Sequence, residues 1–259
     1  MVKPMTNQNR QEQILQLLNA KGEVHVSELA ALFHVNPITI RRDLDTLENA
    51  GKLTRSRGKA LLSQSDIMHE RPLTARMQTN TENKRKIARL ANSIIRPGEH
   101  IFIGSGSTLC YFSKAIDNAK RLWVITGAIN SAAELYSRNN VSVFVIGGEL
   151  TNHTLTTTGT YAESMIQELR FDAAYISCTA LDAEGVFYHR SFAEHGIYKH
   201  LRKQCDTLVL LVDSSKIGKT SFVKVGELRE GDVLITDGDV DKDLVKIYKE
   251  MGVDVKIAE

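Results

Sequence analysis

The sequence predicts an α/β protein in two parts: an N-terminal winged helix-turn-helix domain and a larger C-terminal α/β domain with a mostly parallel sheet. Three observations predict it. Residues 1–62 hold three short amphipathic helices and then a basic stretch; residues 63–80 lose periodicity; and from Thr81 β-branched runs alternate with amphipathic helices.

In the first domain, Ile14, Leu17 and Leu18 form a helical stripe that Gly22 terminates. After a short EVHV, Ser27 is placed to cap ELAALFH, with Leu29, Leu32 and Phe33 pointing inward. HVN is a tight connection. Asn36 is an N-cap, and Pro37 suits the first helical position, where its missing N–H would be unpaired in any case. The third helix buries Ile40, Leu44 and Leu47 and stops near Gly51, and KLTRSRGKALL then forms a two-stranded ribbon. Residues 63–80, with Arg71-Pro72, read as a linker. In residues 81–259, Ile87, Leu90, Ala91 and Ile94 line a helix that ends before Pro97-Gly98. HIFIG, LWVIT, VSVFVIGG, AAYIS, TLVLLVD, DVLIT and VDVKI are then the strands, and STLCYFSKAI, INSAAELYSR, TYAESMIQEL and SFAEHGIYKHLRK the helices between them.

Composition narrows the class. Of 259 residues, 42% are hydrophobic and 25% charged, which suits a globular core and excludes general disorder. The net charge is only +2, so a nucleic-acid surface must come from local clustering. Cys110, Cys178 and Cys205 are scattered and form no CxxC pair, which points to reduced thiols in a cytoplasm. MVKPMTNQNR is too polar for a signal peptide, and no apolar run nears the roughly 18 residues of a membrane span. The expectation is a cytoplasmic protein.

The third helix carries the first functional signal. Ile38, Arg42, Asp45 and Asn49 lie opposite its apolar stripe, with Thr39 and Arg41 on the flanks. In a helix-turn-helix this N-terminal half enters the major groove, where arginine either donates twice to guanine or anchors a phosphate. The competing reading pairs Arg41 and Arg42 with Asp45 as ordinary surface charge. The ribbon weighs against that. Arg55, Arg57 and Lys59 lie in a stretch with no acid between Asn49 and Ser65, which suits a phosphate backbone. Ser27, Asn36, Pro37, Ile38 and Thr39 complete the expected DNA-facing set.

Residues 10–60, and above all the TIRRDL…LE..G.L run, resemble the helix-turn-helix of the DeoR family of bacterial sugar-metabolism repressors. The family usually ends its wing in a His-Gly-Gly-Ala-like turn, where this chain has Arg57-Gly58-Lys59-Ala60. The span from about 82 to 250 resembles the family's effector domain in ENKRKIARLA, IFIGSGST, VFVIGGEL, LDAEGV, AEHGIYKHL, LLVDSSKIG and LITD. The resemblance implies a sheet like that of ribose-5-phosphate isomerase and a phosphorylated sugar as effector. Two departures stand out: Gly104 where the family usually has Asp, and Thr126-Gly127 where it usually has Thr-Asn.

The residues themselves support an anion site. HIFIG runs into SGSTL and a helix, so Gly104, Ser105, Gly106, Ser107 and Thr108 bring backbone N–H groups and hydroxyls to a helix start. This is neither a Walker A loop nor a G-x-G-x-x-G dinucleotide pattern. Lys216 follows a strand end, where open parallel sheets bind ligands. Asp182 and Glu194 are candidates to accept sugar hydroxyls, and Gly147-Gly148 to let backbone approach the ligand. His189, His195 and His200 are not spaced for one helical face, so no metal is expected, nor any cofactor. The expected function is a repressor, not an enzyme, that binds double-stranded operator DNA as a homo-oligomeric dimer or tetramer. The rivals are a sugar-phosphate isomerase with an accessory DNA-binding head, using Glu194 and Lys216, and an architectural DNA-binding protein with a ligand-free second domain.

Overall fold

The computed structural model describes residues 7–21, 23–49, 52–56, 58–61, 73–151 and 154–259. They fall into two compact units, Met1–Thr79 and Asn80–Glu259.

In the first unit, α1 (Asn7–Lys21), β1 (Glu23–His25), α2 (Val26–Phe33) and α3 (Pro37–Asn49) precede β2 (Thr54–Ser56) and β3 (Lys59–Leu61). Helix α4 (Leu73–Met77) forms inside the stretch predicted as linker and lies against α1. Ile14, Leu18, Leu29, Ile40, Leu44, Leu47 and Leu53 close one apolar core. The turn between α2 and α3 works as the sequence requires. His34 takes the left-handed conformation at φ 52°, and Asn36 Oδ1 accepts the Ile38 N–H at 2.9 Å.

Three expectations are corrected here. The ribbon is a three-stranded antiparallel sheet in the order β1-β3-β2, because EVH pairs with β3, Val24 opposite Ala60. Helix α2 starts at Val26 after an extended His25, so Ser27 sits exposed in the first turn instead of capping it. Leu32 is 57% exposed; the inward stripe is Val26, Leu29 and Ala30, with Phe33 half-buried one turn further on.

The second unit begins with α5 (Thr81–Ile94), β4 (His100–Ile103), α6 (Ser107–Ala115), β5 (Leu122–Thr126), α7 (Ile129–Leu135) and β6 (Val141–Val145). A hairpin of β7 (Glu149–Thr151) and β8 (Thr156–Thr158) leads to α8 (Thr160–Gln167) and β9 (Phe171–Ile176). Then come β10 (Ala180–Leu181), β11 (Val186–His189), α9 (His195–Gln204) and β12 (Cys205–Leu211). The unit ends with β13 (Val223–Glu227), β14 (Val233–Asp237), α10 (Lys242–Glu250) and β15 (Asp254–Ala258).

All seven predicted strands join one parallel sheet, β15-β14-β12-β9-β4-β5-β6. Both faces are covered: Ile101 and Ile103 point into one apolar cluster and Phe102 into the other, as strand alternation demands. The β10-β11-β13 sheet and the β7-β8 hairpin were not foreseen, their strands being two to five residues long. The chain lays β4, β5 and β6 outward in one direction, then returns with β9 on the other side of β4. The carboxyl ends of β4 and β9 therefore flank the topological switch point, where such sheets bind ligands.

Candidate functional site

In the first unit, Ile38 is 56% exposed on α3, Arg41 and Arg42 are exposed beside it, and Thr39 is half-buried. Asp45 pairs with Arg55 of β2, so it is not the partner of Arg41 or Arg42, and neither makes an ion pair among the described residues. Two wing cations thus have acidic partners. The Arg55 N–H also donates to Glu48 Oε1 at 2.8 Å, and Lys59 Nζ donates to Glu23 at 2.7 Å, holding that carboxyl below its usual range. Exposed pairs of this kind contribute little to stability. Arg57 lies outside the described residues.

The sequence reading missed what places the arginines. Arg10 of α1 donates to buried Asp43 of α3 at 2.5 and 3.2 Å, with Gln11 adding a bond at 3.2 Å. Asp43, next to Arg42, ties the arginine-bearing helix to α1. Its signal was a carboxylate standing beside the apolar stripe position Leu44.

In the second unit, Gly106 precedes α6 at φ 121°, which a side chain rarely tolerates. The first N–H groups of α6 have no acceptor within the helix, and Ser105, Ser107 and Thr108 are all buried around them. Thr108 Oγ1 has no partner among the described residues. Ser105 Oγ lies 2.8 Å from both carboxylate oxygens of Glu194, the residue before α9, which is only 7% exposed. A Cβ on Gly104 would stand 3.5 Å from the Tyr198 hydroxyl. Gly104, Ser105, Gly127, Thr157, Glu194 and Tyr198 share a cavity of about 10 Å³, room for about one water.

Lys216 sits in a short 3₁₀ turn after β12, 3.7 Å from Asp213 Oδ2. Burial alone would raise the Asp213 carboxyl, but Lys216, hydrogen bonds from Ser215 and Asn80, and Lys84 together hold it below its usual range. Burial pushes the Cys178 thiol up to about 12, opposed first by Lys216. Ser177, just past the carboxyl end of β9, lies against Gly106. Asp213, Tyr198 and Ser177 were missed by sequence reading; only Asp213, a strand-end carboxylate three residues before the lysine, carried a legible signal.

Two other candidates are occupied locally. Asp182 accepts the N–H groups of Glu184 and Val186 and the Tyr188 hydroxyl, so its carboxylate closes its own hairpin. Gly148, at φ 150°, is required because a Cβ would meet Thr158 O at 2.4 Å. The close approach at Gly147-Gly148 is thus to the protein's own backbone. Gly127 has a similar cause: Thr157 Oγ1 stands 2.8 Å from where its Cβ would be. Among the described residues no group of three or more His, Cys, Asp or Glu could hold a metal ion, and no helix is long and apolar enough to cross a membrane.

Comparison with known proteins matches residues 10–66 to the DeoR-like helix-turn-helix domain and residues 79–238 to the DeoR C terminal sensor domain. The chain is 30% identical over 250 residues to the HTH-type transcriptional regulator GolR of Listeria innocua, covering 96% of this chain and 98% of that one. It is 29% identical over 248 residues to a putative aga operon transcriptional repressor of Escherichia coli O157:H7, covering 95% and 92%. A ribose 5 phosphate isomerase A structure from Neisseria gonorrhoeae aligns over 57% of each chain at 18% identity, with a TM-score of 0.41.

Proposed function

The chain belongs to the DeoR family of transcriptional regulators, and on that premise we propose that it represses a sugar or polyol catabolic operon and is released from its operator by a phosphorylated sugar. The observation that carries the DNA-binding part is the pair Arg41 and Arg42, exposed and, among the described residues, without ion-pair partners at the N-terminal half of the second helix of a helix-turn-helix. Ile38 and Thr39 reach base edges beside them. Ser27, Asn36 and Pro37 meet the DNA backbone, and Arg55, Arg57 and Lys59 meet phosphate, Arg55 and Lys59 giving up their carboxylate partners.

The effector site of this reading is the Gly104–Thr108 loop at the switch point, with Lys216 supplying positive charge and Glu194 facing the sugar. A cavity of about 10 Å³ is far below the ~300–1,000 Å³ of ligand sites, so the effector enters by moving the wall formed by Glu194 and by Tyr198 of α9. That movement supplies the link from sugar to DNA. A coupling of about 1–3 kcal/mol changes operator affinity about 5–150-fold. The protein acts in the cytoplasm without a cofactor and as a homo-oligomer. Exposed Phe144 and Val145 on edge strand β6, with Tyr136, Leu150 and Tyr161 nearby in sequence, support self-association.

Gel shifts on DNA upstream of the genes that neighbour its own on the chromosome test the proposal. Sequence-specific binding that a sugar phosphate abolishes is expected. Turnover of ribose 5-phosphate by the purified protein would replace the repressor with an isomerase.

A further inference from the structure

Helix α9 also borders a second cavity, which the proposed function does not use. It is an open groove of about 790 Å³ between α9 and β13, within the ~300–1,000 Å³ range of small-molecule sites. Its floor is apolar, formed by Phe187, Leu208 and Val225. Its walls carry Lys199, Arg202, Lys203, Lys224 and Arg229 against a single acid, Glu227.

The charges do not balance internally. Arg202 bonds buried Asp232 at 2.6 Å, outside the lining. Lys224 and Arg229 share Glu227, at 3.1 and 3.4 Å, which leaves that bank with two cations for one carboxylate. Lys199 and Lys203 on the α9 bank have no acid within ion-pair reach among the described residues. They stand four apart on one helix, a like-charge spacing that opposes the helix unless an anion lies between them.

We propose that this groove is a binding site for a small anion carrying two or more phosphate or carboxylate groups, separate from the Gly104–Thr108 loop. Two groups are called for because cations in excess stand on both banks across an apolar floor. Charge-assisted hydrogen bonds from lysine and arginine are the strong ones, and a multiply charged ligand engages both banks at once. Tyr198 lines both this groove and the small cavity at the switch point, so a ligand here bears on the wall of the effector site.

Calorimetry on the full-length protein at fixed ionic strength tests this, using inorganic pyrophosphate, a sugar bisphosphate and the corresponding neutral sugar. Both anions should bind and the neutral sugar should not. Lys199→Glu with Lys203→Glu should weaken binding by about tenfold or more, while the doubly conservative Lys→Arg variant retains it. Ser107→Asp, which blocks the loop of the effector site, should leave pyrophosphate binding intact. Binding lost in Ser107→Asp but kept in the Lys→Glu variant overturns the groove and leaves the effector reading standing. Failure of both anions to bind the wild type also overturns it and leaves an acidic protein surface as the occupant.

Discussion

The Ser105 hydroxyl lies 2.8 Å from both carboxyl oxygens of Glu194, so the loop read as a phosphate cradle already faces a buried acid. A carboxylate and a phosphate about 4 Å apart would repel by about 4 kcal/mol at an effective dielectric of about 20. On the proposed reading, an incoming phosphate either displaces Glu194 or binds toward Lys216, leaving Glu194 to the sugar.

Glu194→Gln separates the two. It keeps the hydrogen-bonding shape and removes the charge. If the carboxylate opposes phosphate, calorimetry should show effector affinity rising about tenfold or more. A loss of affinity instead assigns Glu194 to the sugar hydroxyls.

Arg41→Ala and Arg42→Ala should each weaken operator binding, by about 1–3 kcal/mol where the arginine reads a base. Lys59→Ala should weaken binding on all sequences and lower the salt slope by about 1 if it contacts phosphate, in exchange for Glu23. Gel-shift titrations at several salt concentrations measure both. Unchanged affinity in both arginine variants would remove α3 from the DNA.

Asp43→Ala should act differently, because Asp43 is buried and bonded to Arg10. Removing one partner of a buried pair costs about 3–5 kcal/mol. Thermal melts should show the first unit destabilised while the second is unchanged, and DNA binding should fall with the folded fraction.

These pairs mark where the sequence was legible. Ile40, Leu44 and Leu47 fall on one helical period, and the seven main strands are apolar runs, so local pattern was enough. Arg10–Asp43 and Ser105–Glu194 join residues 33 and 89 positions apart, and no local period encodes such a pairing. Leu32 was misplaced because in an eight-residue helix one apolar residue shifts the apparent face. Strand β1, three residues long, gave no period to count.

Acid should destabilise the second unit partly through Asp213. Its folded carboxyl lies below the ordinary value of about 3.9. Its contribution is therefore complete at neutral pH and is lost as pH falls through the depressed folded value. Melting temperature measured from pH 7 downward should fall less steeply in Asp213→Asn than in the wild type. Parallel curves would mean that the Lys216, Ser215 and Asn80 partners do not stabilise the charged form.

On the proposed reading, Lys216 decides whether the effector site reads phosphate. Backbone donors at the start of α6 together with a cation would hold a phosphate far better than a neutral sugar, since charge-assisted hydrogen bonds are about twice as strong as neutral ones. The phosphorylated sugar should bind and the free sugar should not. Lys216→Ala should leave DNA affinity near normal and blunt release by effector. Its removal also leaves Asp213 buried without its cation, at 3.7 Å in the wild type, so a loss of response could come from local unfolding. The double variant Lys216→Ala with Asp213→Asn removes that charge imbalance. If it melts like the wild type and still ignores the effector, Lys216 acts on the ligand. If pairing with Asp213 was its whole role, the double variant should regain the response. Equal affinity for a sugar and its phosphate would show that the pocket reads something other than phosphate.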